Sequence, residues 1–341
     1  MGEQLPREKL SQIMSAYWVS QAVYVAAKLG IADLLADGAQ NAEQLAVSTD
    51  THAESLYRLL RALASVGIFA EDHDHCFALT PLADQLRSDL EGSQRSLVLM
   101  MGEEHYRTWG DLLYSVQTGE IAFDKSYGTP IFEYLSQHPD KGKIFDEAMT
   151  GIHGHETDQV LDAYDFAGIQ TLADIGGGNG SKIAAILERH AQMQGILFDL
   201  PPVIQRALPN LEACGLSDRC QAVGGSFFES VPDGADAYLL SHIVHDWDDE
   251  NAITILTKCR EAMHQDSKVL VIENVIPPGN EPFFGKFLDL TMLLIPGGKE
   301  RTTEEYRQLF DDAGLMLTRI VPTSGEISVI EGERRYPQEL P

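Results

Sequence analysis

Basic residues are scarce in this chain. Its 25 lysines and arginines face 52 aspartates and glutamates, a formal net charge of −27 at pH 7. So acidic an exterior repels phosphate backbones and anionic lipid, which argues against nucleic acid or a membrane surface as partner. Cysteine is scarce as well. Cys76, Cys214, Cys220 and Cys259 have neither zinc-ligand spacing nor the pattern of a secreted framework. Free thiols in a reducing cytoplasm, and no metal site, are the expectation. No apolar run approaches the length that spans a bilayer, and a basic-then-apolar leader is missing. Met1-Gly2 is followed by Pro6 where an acylation signal needs a hydroxyl residue. Internal repeats and low-complexity tracts are absent too. A length of 341 residues predicts about two domains, each able to bury a core.

Glycine, by contrast, is concentrated. Residues 172–180 read Leu-Ala-Asp-Ile-Gly-Gly-Gly-Asn-Gly. The apolar run Thr171 to Ile175 enters this cluster, and the helical pattern Ser181 to His190 leaves it, so the order is strand, tight turn, helix. Glycines let a backbone turn sharply and approach a ligand closely. A second apolar run, Gly195–Phe198, ends in Asp199, 23 positions after Gly176. A carboxylate at that strand tip is placed to hold ribose hydroxyls. The dinucleotide fingerprint Gly-x-Gly-x-x-Gly is met at Gly176 and Gly178. Its third position is Ser181, and glycine comes one residue early at Gly180. Asp174 stands at the entry of the turn, where a pyrophosphate is disfavoured and an ammonium or sulfonium favoured. The pattern therefore points to S-adenosylmethionine rather than a nicotinamide cofactor. The plainer alternative is a glycine-rich turn with no ligand.

Upstream, residues 10–36 carry apolar side chains at helical spacing and on more than one face, among them Trp18, Val19, Val23 and Tyr24. A small domain seldom buries both faces, so a second copy of the chain is expected there. A short capped helix at Asn41–Ala46, a longer one at Ala53–Val66 ended by Gly67, and two short strands at Ile68–Ala70 and Cys76–Leu79 make a winged-helix pattern. Its wing tip, Glu71-Asp-His-Asp-His75, is acidic where a DNA phosphate would lie, which disfavours a DNA reader. His73, His75 and Cys76 alternate in direction, and a solvated turn suits them better than a metal. Residues 105–165 read as irregular helices rich in aromatics, with a linking helix at Lys141–Asp158 and with His153 and His155 as pocket candidates.

From Thr171 onward strands and helices alternate, and the last two strands, Leu315–Pro322 and Ile327–Glu331, follow each other without a helix. The fold class is α/β: a Rossmann-like doubly wound sheet carrying ligands at its strand ends, with a mostly helical winged-helix domain before it. The expected division is 1–105, 106–165 and 166–335. Strand Ala237–Ser241 ends on the ligand edge and leads into His242-Ile-Val-His245-Asp246-Trp247. A histidine there can act as a general base. Glu273 and Glu300 are expected near the same edge, where an acid can orient the imidazole and stabilise the imidazolium. Taken singly, His245 reads as a cap or core residue and Glu300 as a solvated charge; their joint placement is what points to chemistry.

With these residues in view, the chain resembles class I S-adenosylmethionine-dependent O-methyltransferases of the plant caffeate and flavonoid type and their bacterial natural-product relatives, from about residue 12 to residue 332. The motifs are Asp174-Ile-Gly-Gly-Gly178, Phe198-Asp-Leu-Pro201, His245-Asp-Trp247, Gly297-Gly-Lys-Glu-Arg-Thr302 and Gly325-Glu-Ile-Ser-Val-Ile330. The resemblance implies that the Gly176 and Gly178 turn holds the methionine part and Asp199 the ribose. It implies that Leu200, Ser226, Phe227, Ser241 and Trp247 complete the donor site, and that His245 takes a hydroxyl proton between Glu273 and Glu300. Trp109, Phe145, Met149, His153, Met292 and Ile295 are the candidate acceptor pocket. The amino-terminal domain is expected to form a homodimer. Ser226 stands where the family often has a carboxylate, Ser241 where it has a lysine, and Ile295 where plant members have asparagine. These departures lean toward the bacterial branch, and toward an aromatic or polyketide-like acceptor. Two other classes stay open: a relative that binds the same donor for decarboxylation, hydroxylation or pericyclic chemistry, and a non-enzymatic winged-helix regulator.

Overall fold

Proline and capping residues set where the helices begin. The computed structural model describes residues 5–90 and 92–335, in two compact units: Met1–Arg107 with Asp140–Ile152, and Thr108–Pro139 with His153–Pro341. In the first unit the helix Pro6–Lys28 starts on a proline, which needs no hydrogen-bond acceptor there. Ala26 and Ala27 are buried, while Leu10, Ile13, Met14, Tyr17, Trp18 and Val19 are exposed. Asn41 and Gln44 form a reciprocal capping box at the start of Ala42–Thr49. The helix Ala53–Ser65 buries Leu56, Leu60 and Leu63, a stripe at the spacing of one helical face.

The wing has three strands rather than two: β1 (Gln40–Asn41), β2 (Phe69–Glu71) and β3 (Cys76–Leu79), antiparallel in the order β1-β3-β2. β1 escapes a reading by alternation because it is two polar residues long. At the wing tip Glu71 Oε1 accepts from the Tyr57 hydroxyl at 3.0 Å and lies 2.8 Å from His75 Nδ1. Among the described residues no cluster of three or more His, Cys, Asp or Glu is arranged to hold a metal. No helix there is long and apolar enough to cross a membrane.

In the second unit the strands are β4 (Thr171–Ile175), β5 (Gln194–Asp199), β6 (Cys220–Gly224), β7 (Ala237–Ser241), β8 (Lys268–Ile276), β9 (Arg301–Thr302), β10 (Leu315–Pro322) and β11 (Ile327–Arg334). The sheet runs β10-β11-β8-β7-β4-β5-β6, with β9 on β8. β4 through β8 are parallel, and β11 and β10 close one edge as an antiparallel pair. The apolar runs of β4 and β7 are buried on both faces, as a parallel sheet covered by helices requires. The strand order reverses between β4 and β7. That reversal is a topological switch point, where a crevice opens at the carboxyl ends of the strands.

Candidate functional site

At this crevice the glycine turn is held in a shape only glycine takes without strain. Gly176, Gly178 and Gly180 have φ of 72°, 59° and 77°. A Cβ on Gly176 would overlap the Ile243 side chain. Asp199, at the tip of β5, ties the turn together: Oδ2 accepts from Gly178 N at 2.9 Å and Oδ1 from Leu200 N at 2.6 Å. Its backbone carbonyl accepts from Gly225 N at 3.0 Å, which brings Ser226 and Phe227 to the same strand ends. Ser226 Oγ accepts from Phe228 N at 3.3 Å. Trp247 meets Phe228 edge-on at 4.7 Å and Phe227 at 6.0 Å, and stacks on Phe132 at 5.8 Å. Such an aromatic wall suits a purine.

Asp174 stands at the entry of the turn, one residue inside the end of β4, and is 1% exposed. A Cβ on Gly177 would stand 2.6 Å from its Oδ2, so this oxygen lies beneath the turn. Oδ2 has no hydrogen-bond partner, and burial pushes the carboxyl up to about 7. A carboxylate at the tip of β5, an aromatic wall and a buried acid under the turn fit a nucleoside with a cationic tail.

The second constellation surrounds His245. After β7 the chain turns through His242, which holds a left-handed φ of 54°, into the short turn Val244–Asp246. His242 Nε2 lies 2.8 Å from Glu156 Oε2. The buried His245 ring places Nδ1 2.7 Å from Glu300 Oε1, and Nε2 3.6 Å from Asp246 Oδ1. The backbone N–H of His245 donates to Glu273 Oε1 at 3.0 Å, and the Tyr306 hydroxyl donates to the other oxygen of that carboxyl. Glu300 is held from behind, its N–H donating to Asp289 Oδ1 at 2.9 Å. β9 pairs with β8 through Val275 and Arg301, which brings the two acids to one place.

Burial alone would drive the imidazole down; the carboxylates of Glu300, Asp246 and Glu273 outweigh it and raise it to about 10. Burial likewise raises Glu273, and lifts Asp246 to about 7 against the pull of His245. Several carboxyls and one imidazole therefore share protons as a unit.

An O-methyltransferase domain family matches residues 109–316, and an O-methyltransferase dimerisation domain family matches residues 11–89. The chain belongs to the O-methyltransferase family. It is an S-adenosylmethionine-dependent O-methyltransferase of the bacterial natural-product kind. It is 48% identical over 322 residues to the phenazine O-methyltransferase PhzM of Lysobacter antibioticus, covering 94% of each chain. It is 38% identical over 332 residues to the mitomycin biosynthesis 6-O-methyltransferase of Streptomyces lavendulae, covering 96% of this chain and 94% of that one. Its structure is similar, with a TM-score of 0.83 and 36% identity, to that of an O-methyltransferase from neocarzinostatin biosynthesis in complex with S-adenosylmethionine and 2-hydroxy-5-methyl naphthoic acid. That match covers 92% of this chain and 95% of the other.

In this methyltransferase the acceptor candidates fall in different places. Trp109 and the buried Ile295 belong to one apolar cluster with Phe123, and Met292 is buried on the helix Gly285–Leu294. Phe145 and Met149 are half-buried members of the first unit, and the side chain of His153 lies outside the described residues. Ser241 Oγ accepts from Lys182 Nζ at 2.6 Å.

Sequence reasoning missed four residues. Asp246, Arg301 and Tyr306 escaped it although the first two lie inside quoted motifs. Arg301 is fully buried: its guanidinium donates to the carbonyls of Val244 (3.1 Å), Trp247 (2.9 Å) and Lys299 (3.2 Å), and twice to Asp249 Oδ1. Lys182 is the fourth. Its signal was its place four residues before Ile186, on the buried stripe of the helix Ser181–Arg189.

Proposed function

We propose that the enzyme works as a cytoplasmic homodimer on a small aromatic or polyketide-like acceptor, methylating a hydroxyl with His245 as the group that takes its proton. The observation that carries this is the 2.7 Å contact of His245 Nδ1 with Glu300 Oε1. With Nδ1 engaged, Nε2 is left for the acceptor's proton, and Glu300 fixes the ring and stabilises its charge. Glu273 holds the backbone of the same residue. On this reading Gly176, Gly178 and Asp199 hold the methionine end and ribose, Leu200, Ser226, Phe227 and Trp247 the adenine, and Ser241 backs the turn. Residues 1–105 dimerise, 106–165 contribute to the acceptor pocket with Trp109, Phe145, Met149, His153, Met292 and Ile295, and 166–335 bind the donor. An acidic exterior of net charge −27 fits a small-molecule acceptor and a second copy of the chain as its partners, without nucleic acid or membrane.

When bound, S-adenosylmethionine supplies a methyl group on a sulfonium, open to in-line displacement by oxygen. The protein's part is positional and protonic. Taking the acceptor's proton makes His245 an imidazolium, which the carboxylates of Glu300, Asp246 and Glu273 stabilise. A phenolate beside that imidazolium holds the same protons as a phenol beside a neutral imidazole. The reactive pair therefore forms most readily with hydroxyls that ionise well below 10. The aromatic acceptors in the names of the phenazine and naphthoic-acid relatives support this class.

The test is mass spectrometry of products from hydroxylated phenazines, naphthoates and polyketides incubated with donor carrying a labelled methyl. The reading expects a labelled methyl ether and S-adenosylhomocysteine in equal amounts. An acceptor altered while the label stays on the donor would instead favour decarboxylation, hydroxylation or pericyclic chemistry.

A further inference from the structure

Behind the glycine turn lies a cation that the proton chemistry does not use. Lys182 is the second residue of the helix Ser181–Arg189, and it is 8% exposed. A lysine is disfavoured there twice over: burial penalises the ammonium, and a helix start repels positive charge. Burial lowers its proton affinity, and the charges of Glu156 and Asp174 oppose that shift.

Those two acids could be its whole reason for being there. The hydrogen bonding argues otherwise. Nζ donates to Ser241 Oγ at 2.6 Å, and an ammonium has three donors. Among the described residues no other hydrogen bond or ion pair reaches it. Glu156 gives an oxygen to His242, and Asp174 keeps Oδ2 without a partner beneath Gly177. A buried cation with spare donors and a buried acid with a spare oxygen thus flank one turn. β4 and β7 are neighbours at the switch point, with Asp174 in register with Leu239, two residues before Ser241 on the same strand. A positive and a negative group so placed complement an α-amino acid, whose ammonium and carboxylate share one carbon.

We propose that Lys182, anchored by Ser241, receives the α-carboxylate of the methyl donor, beside Asp174 on the ammonium side. This rests on the glycine turn being the donor site. It makes Lys182 a binding and positioning residue: it fixes the amino-acid end and through it the direction of the sulfur.

Calorimetry with two ligands tests it. S-Adenosylhomocysteine has the amino-acid end; 5′-methylthioadenosine keeps the adenosine and the thioether but lacks that end. Lys182→Met should bind S-adenosylhomocysteine about tenfold more weakly or worse, the loss expected for a charge-assisted contact, with methylthioadenosine affinity unchanged. Lys182→Arg should recover part of the loss, and Ser241→Ala should lose less, again for S-adenosylhomocysteine alone. Asp199→Ala should weaken both ligands. Retained methylthioadenosine binding also shows that a variant is folded; should Lys182→Met lose the fold, the Arg and Ser241→Ala variants decide. Equal losses for both ligands, or none for either, would overturn the assignment. A wild-type protein that binds neither ligand would instead overturn the donor site itself.

Discussion

Gly298 rests on the backbone carbonyl of His245. A Cβ there would overlap that oxygen and press on the backbone of Asp246 and Trp247. This close approach lets the loop carrying Glu300 reach Nδ1 of the imidazole. Gly298→Ala should therefore cost about 1–3 kcal/mol through overpacking, or push the His245 turn aside. Thermal melting will read the first, and kcat/KM the second. We expect methyl transfer to fall by more than S-adenosylhomocysteine affinity does, because the proposed role of the displaced group is toward the acceptor.

Arg301 clasps the same turn through the carbonyls of Val244 and Trp247. Replacing it with methionine leaves the carbonyls of Val244 and Trp247 without their donor, and each buried orphan costs about 1–3 kcal/mol. Arg301→Lys should be nearly as harmful, since a point charge cannot reproduce the fork. Urea unfolding of the two variants checks this. Stability equal to wild type in both would show that the clasp holds nothing.

Asp199 joins the tip of β5 to the glycine turn through Gly178 N and Leu200 N. Asp199→Ala should weaken S-adenosylhomocysteine by about tenfold or more, the worth of a charge-assisted hydrogen bond together with a loosened turn. Calorimetry on the folded variant measures it, and unchanged affinity would remove Asp199 from the donor site.

Much of this site could be read in the chain because parallel strands end where ligands bind, and strands are visible as short apolar runs. The runs ending at Ile175, Asp199 and Ser241 mark the strand ends that line the crevice. The two-residue β1 and β9 were invisible, since neither is long enough to show a period. Arg301 and Lys182 escaped for a different reason. Sequence alone treats a charge as solvated, and only packing reveals that one is buried and what it holds. The run Thr171 to Ile175 matches β4 residue for residue, but its pattern could not show that the Asp174 carboxyl is buried without a partner on Oδ2.

The helix Pro6–Lys28 presents Ile13, Met14, Tyr17 and Trp18 to the outside, and these four residues fall within the match to the dimerisation domain. An apolar face of this kind is covered in an isologous dimer. Ile13→Glu with Trp18→Glu should convert a dimer to a monomer in sedimentation at micromolar concentration and depress activity, while leaving the donor domain folded. A wild-type enzyme that sediments as a fully active monomer would contradict this.

The central claim is that His245, raised to about 10 by Glu300, Asp246 and Glu273, shares one proton with the acceptor. For an acceptor that ionises well below 10, kcat/KM should climb with pH through the acceptor's own ionisation. It should fall again as the imidazolium is lost near 10. Glu300→Gln removes a negative neighbour, so the imidazolium loses its proton more easily and the alkaline limb moves to lower pH. His245→Ala should lose about 10²–10⁴ in rate and have no alkaline limb, while S-adenosylhomocysteine affinity stays. The decisive measurement is this pH profile for the three proteins in single-turnover transfer at saturating donor. An alkaline limb that shifts in Glu300→Gln and vanishes in His245→Ala is the predicted result. Wild-type turnover in His245→Ala at neutral pH would contradict the account.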